Sequence, residues 1–260
     1  MDTNVTEVIK GVPNILGMLY TDLAQPSVKA VGDALGTVFE FSTSILLPLK
    51  LCNEKFKVNF TKRLNEYKDK LEGIPEEKRC KVHPQIGTPI IEKLSYTTSD
   101  EIADMFTTLL ANASNIETVN AAHPAFVSMI ERMSPDEAMI LKYLKGKEDI
   151  QYCDINGFSN INSGYNTLFD HVTMLEDDVQ LMYPQNINAY LANFVSLGIL
   201  IDKKGTFRMD KTEYNRITAK YNVENLRKEL VPNVLKSIQV KESYYDVTTF
   251  GKLFIQACIR

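Results

Sequence analysis

The 260-residue sequence lacks the short motifs by which common enzymes are recognised. No G-x-S-x-G segment presents a nucleophilic serine, and no glycine-rich phosphate-binding pattern is present. Cys153 is the one thiol beside a polar loop, but residues 151–200 contain five acids and neither lysine nor arginine. Because a reactive thiol needs an electropositive environment, we expect a non-enzymatic role. A hydrolase that uses no known motif remains a less favoured alternative.

Metal and disulfide patterns are missing as well. The four cysteines and three histidines include no C-x-x-C pair and do not have the spacing of a zinc site. Three adjacent acids, Glu176, Asp177 and Asp178, offer cation ligands, but neighbouring residues on a helix point in different directions. We therefore expect no metal and no cofactor. Scattered free cysteines are typical of a reducing cytosol.

Strong positive charge and long apolar runs are also absent. The net charge is −4 and the pI is about 5.5, which argues against an extended nucleic-acid-binding surface. The N-terminus has no signal-peptide pattern, and no run of 18 uninterrupted apolar residues occurs. The sequence therefore predicts a cytoplasmic protein that does not span a membrane.

The most apolar tract covers residues 30–51. It predicts a helix that packs in the core or against a partner helix, and action at the inner membrane is the alternative. Asp33, Glu40 and Pro48 oppose stable insertion into a bilayer. The candidate membrane-contacting or partner-contacting residues of this helix are Phe39, Phe41, Ile45, Leu46 and Leu49.

Helix-start signals recur in the rest of the chain. Ser99 precedes two acids and an apolar helical stripe, and Ser134-Pro135-Asp136-Glu137 has the pattern of a capping box with proline in the first turn. We place a domain boundary before this second motif. The predicted division is apolar N-terminal helices in residues 1–51, a helical domain in 52–133 and a winged-helix-like domain in 134–260.

The order of elements in the C-terminal part is typical of winged-helix domains. A helix over 186–197 is followed by a strand at 199–201, a turn at 203–205, a second strand at 206–209 and another helix. The Asn-, Gly- and Ser-rich stretch 154–166 predicts a long loop. The expected fold is mainly α, with an N-terminal helical region and a C-terminal winged-helix-like domain that contains a small β-hairpin.

The predicted winged helix offers a surface for nucleic acid or for protein. Asparagine can read adenine, and lysine and arginine can hold phosphates. The helix itself carries no basic residue, so a protein partner is favoured over nucleic acid, and a DNA-binding transcriptional regulator is the alternative function. The candidate surface consists of Asn186, Asn188, Asn193, Lys203, Lys204 and Arg208.

An ordered series of short segments covers nearly the whole chain. The segments are Leu19–Leu23, Gln25-Pro26, Gly32, Leu35-Gly36, Leu46–Leu49, Met105-Phe106, Leu109–Ala111, His123–Phe126, Ser134–Ala138, Asn193-Phe194, Leu197–Ile199, Phe250-Gly251, Phe254 and Ala257-Cys258. In this series the sequence resembles the abortive infection alpha family of bacteria. The resemblance implies anti-phage defence, in which an infected cell dies or arrests before phage can spread. It carries over no catalytic residues.

Composition and resemblance together predict a non-enzymatic effector or sensor of abortive infection. We expect it to act through contacts with a protein partner, which is either a second copy of the chain or the product of a neighbouring defence gene.

Overall fold

The computed structural model describes residues 20–21, 23, 27–34, 50–159, 164–231 and 235–260, with the backbone alone described for 50–57. The chain forms two compact units. We call Met1–Ala138 with Leu253–Arg260 the helical unit, and Met139–Lys252 the sheet unit. The predicted three-part division stays a prediction. The five candidate residues of the apolar tract, from Phe39 to Leu49, lie outside the described residues.

The helical unit is built from amphipathic helices, and residues 28–34 are helical as well. Its larger helices are α1 (Lys50–Glu72), α2 (Pro84–Tyr96), α3 (Asp100–Ala113) and α4 (Ala125–Glu131). Helix α1 packs against both α2 and α3. The predicted cap of α3 is confirmed, because the Ser99 hydroxyl accepts a hydrogen bond from the Ile102 amide at 3.2 Å.

The capping box predicted at residue 134 is confirmed at the start of α5 (Pro135–Leu144). The amide and hydroxyl of Ser134 donate to Glu137 Oε2 at 2.6 and 2.8 Å, and the Glu137 amide donates to the Ser134 hydroxyl at 3.3 Å. These reciprocal bonds satisfy amide donors that have no partner within the helix.

The sheet unit contains one antiparallel sheet of four strands in its described part, in the order β2-β1-β4-β3. The strands are β1 (Asp149–Ser159), β2 (Tyr165–Val172), β3 (Leu200–Asp202) and β4 (Leu235–Val247). The helices are α6 (Leu175–Asp178), α7 (Ile187–Ser196), α8 (Thr212–Lys220) and α9 (Val223–Leu230), and α10 (Thr249–Cys258) follows β4. Apolar residues of β1 and β4 pack with Tyr214 and Ile217 of α8 and with Val223 of α9, which forms the core of this unit.

The expected winged-helix-like domain is wrong. The expected mainly α fold is wrong as well, because the described residues form an antiparallel sheet of four strands beside the helices instead of one small hairpin. Residues 206–209 form no strand, and β3 pairs with β4. Most of the stretch predicted as a long loop, 154–166, belongs to β1 and β2.

Gly157 explains why the loop prediction failed. A Cβ at this position would lie 2.7 Å from Leu235 Cδ1, so the glycine allows close packing inside a strand and does not mark a turn. The neighbouring Asn156 side chain accepts a hydrogen bond from the Thr167 hydroxyl of β2 at 3.0 Å. A local Asn-Gly turn signal was thus overridden by pairing between distant segments.

The last two strands of the sheet differ greatly in length. β3 has 3 residues and β4 has 13. β3 pairs only with residues 245–247 of β4, so residues 235–243 have no strand partner on that side within the described part of the chain. Lys236, Gln239 and Lys241 of this stretch are exposed.

In the residues that the structure describes, no helix has both the length and the apolar character that a bilayer crossing requires.

Candidate functional site

A β-bulge lies between β1 and the edge strand β2. Residues 153–155 of β1 span the same distance as residues 169–172 of β2, so Asp170 and His171 lie opposite the single residue Asp154. His171 has a φ of +49°, which is uncommon for a residue other than glycine, and its amide donates to Asp154 Oδ1 at 2.9 Å. The bulge brings the polar atoms of Asp154, Asp170 and His171 close together.

Two tyrosines hold the His171 ring. The ring stacks on Tyr152 with 4.6 Å between the centroids and 17° between the planes, and its centroid lies 6.1 Å from that of Tyr245. The Tyr152 hydroxyl donates to Asp202 Oδ1 at 2.7 Å. Burial and the nearby Asp202 carboxylate raise the pKa of both phenols well above the ordinary value, so both remain protonated at neutral pH.

Three carboxylates surround the imidazole. His171 Nδ1 lies 2.8 Å from Asp170 Oδ1 and 3.6 Å from Asp154 Oδ1, and Nε2 lies 3.9 Å from Asp202 Oδ2. We call His171 and these three aspartates the His171 cluster. Asp154 is only 5% exposed.

Two of the six residues predicted to contact nucleic acid or protein reach this cluster. The Asn188 side chain donates to the Asp170 carbonyl at 3.2 Å, and Lys204 Nζ lies 3.5 Å from Asp154 Oδ2. Asn186 is the N-cap residue of α7, and Asn193 lies in the last turns of the same helix. Binding of nucleic acid or protein by these residues stays a prediction.

Arg208 is held by the sheet. Its Nε and Nη2 donate to Asp149 Oδ2 at 2.6 Å and to Asp246 Oδ1 at 2.7 Å. The guanidinium also lies 4.0 Å from the centroid of the Tyr244 ring, which is cation–π geometry. The backbone amide of Lys203 donates to the Tyr244 carbonyl at 2.9 Å. Lys203, through its backbone amide, and Arg208, through its side chain, therefore fix the segment between β3 and α8.

We call this segment, residues 203–211, the contact loop. It has a left-handed turn at Gly205, with φ +79°, and the Gly205 amide donates to the Ser243 hydroxyl at 2.9 Å. The Arg208 amide donates to the Tyr214 hydroxyl at 3.1 Å. From this anchored backbone two large apolar side chains face solvent, Phe207 at 51% exposure and Met209 at 86%.

Cys153 is unsuited to nucleophilic chemistry. Burial, followed by the nearby carboxylates of Glu242 and Asp154, raises the pKa of its thiol to about 12. Because the thiolate is the reactive form, the thiol is unreactive at neutral pH.

The acidic triplet at residues 176–178 makes ion pairs with α8. Asp178 Oδ1 lies 2.7 Å from Arg216 Nη2, and Glu176 and Asp177 both pair with Lys220. The hydrogen bond from Arg216 lowers the pKa of the Asp178 carboxyl group. The three acids thus hold α6 against a basic surface of the same unit.

Sequence reasoning missed the His171 cluster. The available signals were the alternation of polar and apolar residues in 149–152 and the aromatic and β-branched residues in 165–172, which are typical of strands. Assigning these strands would have placed Tyr152 and Asp154 on one face. The bulge that adds Asp170 and His171 leaves no recognisable pattern in the sequence.

The family model described as abortive infection alpha matches residues 54–258, most of the chain. The protein belongs to the abortive infection alpha family. The resemblance seen in the sequence is thereby confirmed, and family membership indicates a role in abortive infection. The match includes every element from α2 to α10.

Other comparisons are sparse. No curated protein matches this chain. A solved structure of an uncharacterized protein from the hydrocarbon-degrading marine bacterium Alcanivorax borkumensis SK2 is similar at 15% identity, covering 51% of this chain and 90% of that chain, with a TM-score of 0.33. This likeness is too distant to inform the fold or the function.

Proposed function

We propose that this protein acts in abortive infection as a non-enzymatic effector or sensor, through contact between its contact loop and a protein partner. Membership of the abortive infection alpha family supports the process. The observation that supports the mode of action is the exposure of Phe207 and Met209 on a fixed backbone.

Phe207 and Met209 are two residues apart in the contact loop, and neighbouring exposed apolar side chains of this size indicate an interaction surface. Grouped apolar residues on a surface mark interaction sites, and aromatic residues and methionine are enriched at the centres of protein interfaces. Lys211 Nζ lies 3.7 Å from the centroid of the Phe207 ring, which leaves a charged group at the margin of the apolar surface. An apolar centre with a polar rim is the usual anatomy of a protein interface.

The anchoring of the contact loop favours binding. A free loop loses conformational entropy when a partner orders it, at a cost of about 0.5–1.5 kcal/mol for each immobilised side chain. Arg208 already fixes the middle of the loop through two carboxylates and a tyrosine ring. The partner therefore meets a surface that is already ordered.

The transcriptional alternative has lost its structural basis. It required a winged helix, and the described residues form a four-stranded sheet in that region. Arg208, one of its three candidate phosphate ligands, is paired with two aspartates. Membrane action by residues 30–51 stays a prediction from the sequence, because its candidate residues lie outside the described part of the chain.

The proposal is tested by phage plating on bacteria that express the chain together with its neighbouring genes. We expect protection at low phage dose and collapse of the culture at high dose. Met209→Asp should abolish protection, because a carboxylate at the interface centre opposes burial. Met182, which is 70% exposed at another position, supplies the matched control, and Met182→Asp should protect like the wild type.

Two results would contradict the proposal. Failure of the wild-type chain to protect against a broad phage panel would count against the defence role. If the Met209→Asp variant protects as well as the wild type at equal protein levels, the contact loop is not the binding surface, and the defence role itself is unaffected. A crosslinker placed at residue 204 should capture the partner in wild-type cells and lose it in the Met209→Asp variant.

A further inference from the structure

The His171 cluster concentrates negative charge around one partly buried histidine, and Asp154 is its buried carboxylate. Three carboxylates lie within 4 Å of the two imidazole nitrogens. The ammonium group of Lys204 lies 3.5 Å from Asp154 Oδ2 and partly balances this negative charge. The Lys204 side chain is 60% exposed. The 3.5 Å distance is longer than the roughly 2.7–2.9 Å of a strong charge-assisted hydrogen bond. Asp154 also accepts a hydrogen bond from the His171 amide, but among the described residues only this distant ammonium group compensates its charge from outside the cluster, and buried charges in proteins are paired or bind metals.

The bulge arranges three donor atoms as a cation requires. Nδ1 of His171 and one carboxylate oxygen each from Asp154 and Asp170 all lie within 4.8 Å of one another. Donors that bind one transition metal at about 2.0–2.2 Å lie roughly 3–4 Å apart. Small rotations of the two carboxylates therefore suffice to bring all three donors to one ion. Asp170 is free to make such a rotation, since its side chain is 59% exposed.

The surroundings of the ring suit metal binding through Nδ1. Stacking on Tyr152 fixes the plane of the imidazole. Asp170 and Asp154 lie on the side of Nδ1, and Asp202 Oδ2 lies on the side of Nε2, at 3.9 Å. A cation that takes the place of the proton on Nδ1 leaves the ring proton on Nε2, facing Asp202. A carboxylate on the far side of a metal-binding histidine is a recurrent feature of such sites.

We propose that the His171 cluster is a binding site for one divalent transition-metal cation, held by His171, Asp154 and Asp170. Asp202 is a positioning residue, because it acts on the cation through the imidazole. The mixed nitrogen and oxygen donors favour ions such as Mn²⁺ or Zn²⁺ over Mg²⁺ and Ca²⁺, which prefer oxygen alone. The site lies outside the surface formed by Phe207 and Met209 and does not depend on the proposed function.

Lys204 gives the proposal an unusual test. Its ammonium group occupies the place where it repels an incoming cation, so its removal should strengthen metal binding. The removal of a ligand should weaken it. A cluster with a purely structural role predicts neither of these opposite changes.

The experiment is calorimetric titration of the chelator-treated full chain with Mn²⁺ and, separately, with Zn²⁺. We expect one ion per chain. Asp170→Asn should weaken binding by at least about tenfold, and Lys204→Gln should tighten it. Both positions are largely exposed, so neither change should affect folding. Glu224→Gln is the matched control, because this carboxylate is 74% exposed and pairs with Arg227 on α9.

The site of binding is checked by paramagnetic broadening. Mn²⁺ should broaden the ring-proton NMR signals of His171 and Tyr152 first, and the signals of His83 and His123 should remain sharp. Absence of saturable binding for both ions would overturn the proposal. So would broadening at another histidine, or equal affinity in the Asp170→Asn, Lys204→Gln and wild-type chains.

Discussion

The ring of His171 lies nearly parallel to that of Tyr152, at an interplanar angle of 17°. The stack depends on the backbone, because a φ of +49° at His171 turns its side chain over β1. Histidine adopts this conformation several times more readily than most residues, and β-branched residues rarely do. The backbone conformation at residue 171 is therefore one that its histidine side chain tolerates, next to the three carboxylates of the cluster.

The anchor of the contact loop is Arg208, and its removal should loosen the loop. In Arg208→Gln the two aspartates and the Tyr244 ring lose their common cation. We expect faster amide hydrogen exchange in residues 203–211, with α3 unchanged. Arg227→Gln is the control, since Arg227 pairs with an exposed glutamate on one helix surface. Unchanged exchange in the loop would show that its backbone bonds alone are sufficient.

Gly251 is required by close contact between backbones. A Cβ at this position would lie 2.2 Å from the carbonyl oxygen of Ile199, and backbone cannot yield as a flexible side chain can. Gly251→Ala should therefore lower the free energy of unfolding by about 3 kcal/mol. Gly164→Ala is the control, because no heavy atom lies within 4 Å of its added Cβ. Urea denaturation of both variants measures the difference, and similar midpoints would contradict it.

The capping box at α5 makes a measurable contribution to stability. Ser134→Ala removes the hydroxyl that accepts from the Glu137 amide and donates to its carboxylate. The expected loss is about 1 kcal/mol, typical of an N-cap serine. Ser128→Ala, which removes an exposed hydroxyl bonded within α4, should change the unfolding midpoint much less. Equal losses for the two serines would argue against a special role of the box.

The thiol of Cys153 links stability to alkaline pH. Its pKa is raised to about 12 in the folded chain, mainly by burial, from about 8.5 in an unfolded one. The stability it contributes is therefore complete below about pH 8.5 and is lost as pH rises towards 12. We expect the free energy of unfolding to fall over this range, and to fall less steeply in Cys153→Ala. At pH 8 a thiol reagent should label the partly exposed Cys80 before Cys153.

Helix starts could be predicted because their causes are local. The caps at Ser99 and Ser134 depend on residues three positions away, and both hydrogen bonds are present. The sheet could not be predicted in the same way. Strand β1 finds its main partner in β4, more than seventy residues further along the chain, and no short window of sequence contains both.

The contact loop shows how a correct local prediction led to a wrong fold. The turn at residues 203–205 exists, but the Gly205 amide bonds to the Ser243 side chain instead of starting a hairpin. The strand before the turn therefore pairs with β4. The His171 cluster was missed for a related reason, since its aspartates at 154, 170 and 202 meet only when the strands and the bulge are in place.

The short length of β3 bears on solubility. An unpaired strand edge can accept a strand from another molecule, which leads to aggregation, and exposed lysines oppose such pairing. Residues 235–243 of β4 extend past β3 without a strand partner on that side in the described part of the chain, and Lys236 and Lys241 are exposed there. Among the described residues, charge on these two lysines, more than coverage by another strand, therefore opposes the addition of a strand from a neighbouring molecule at this edge.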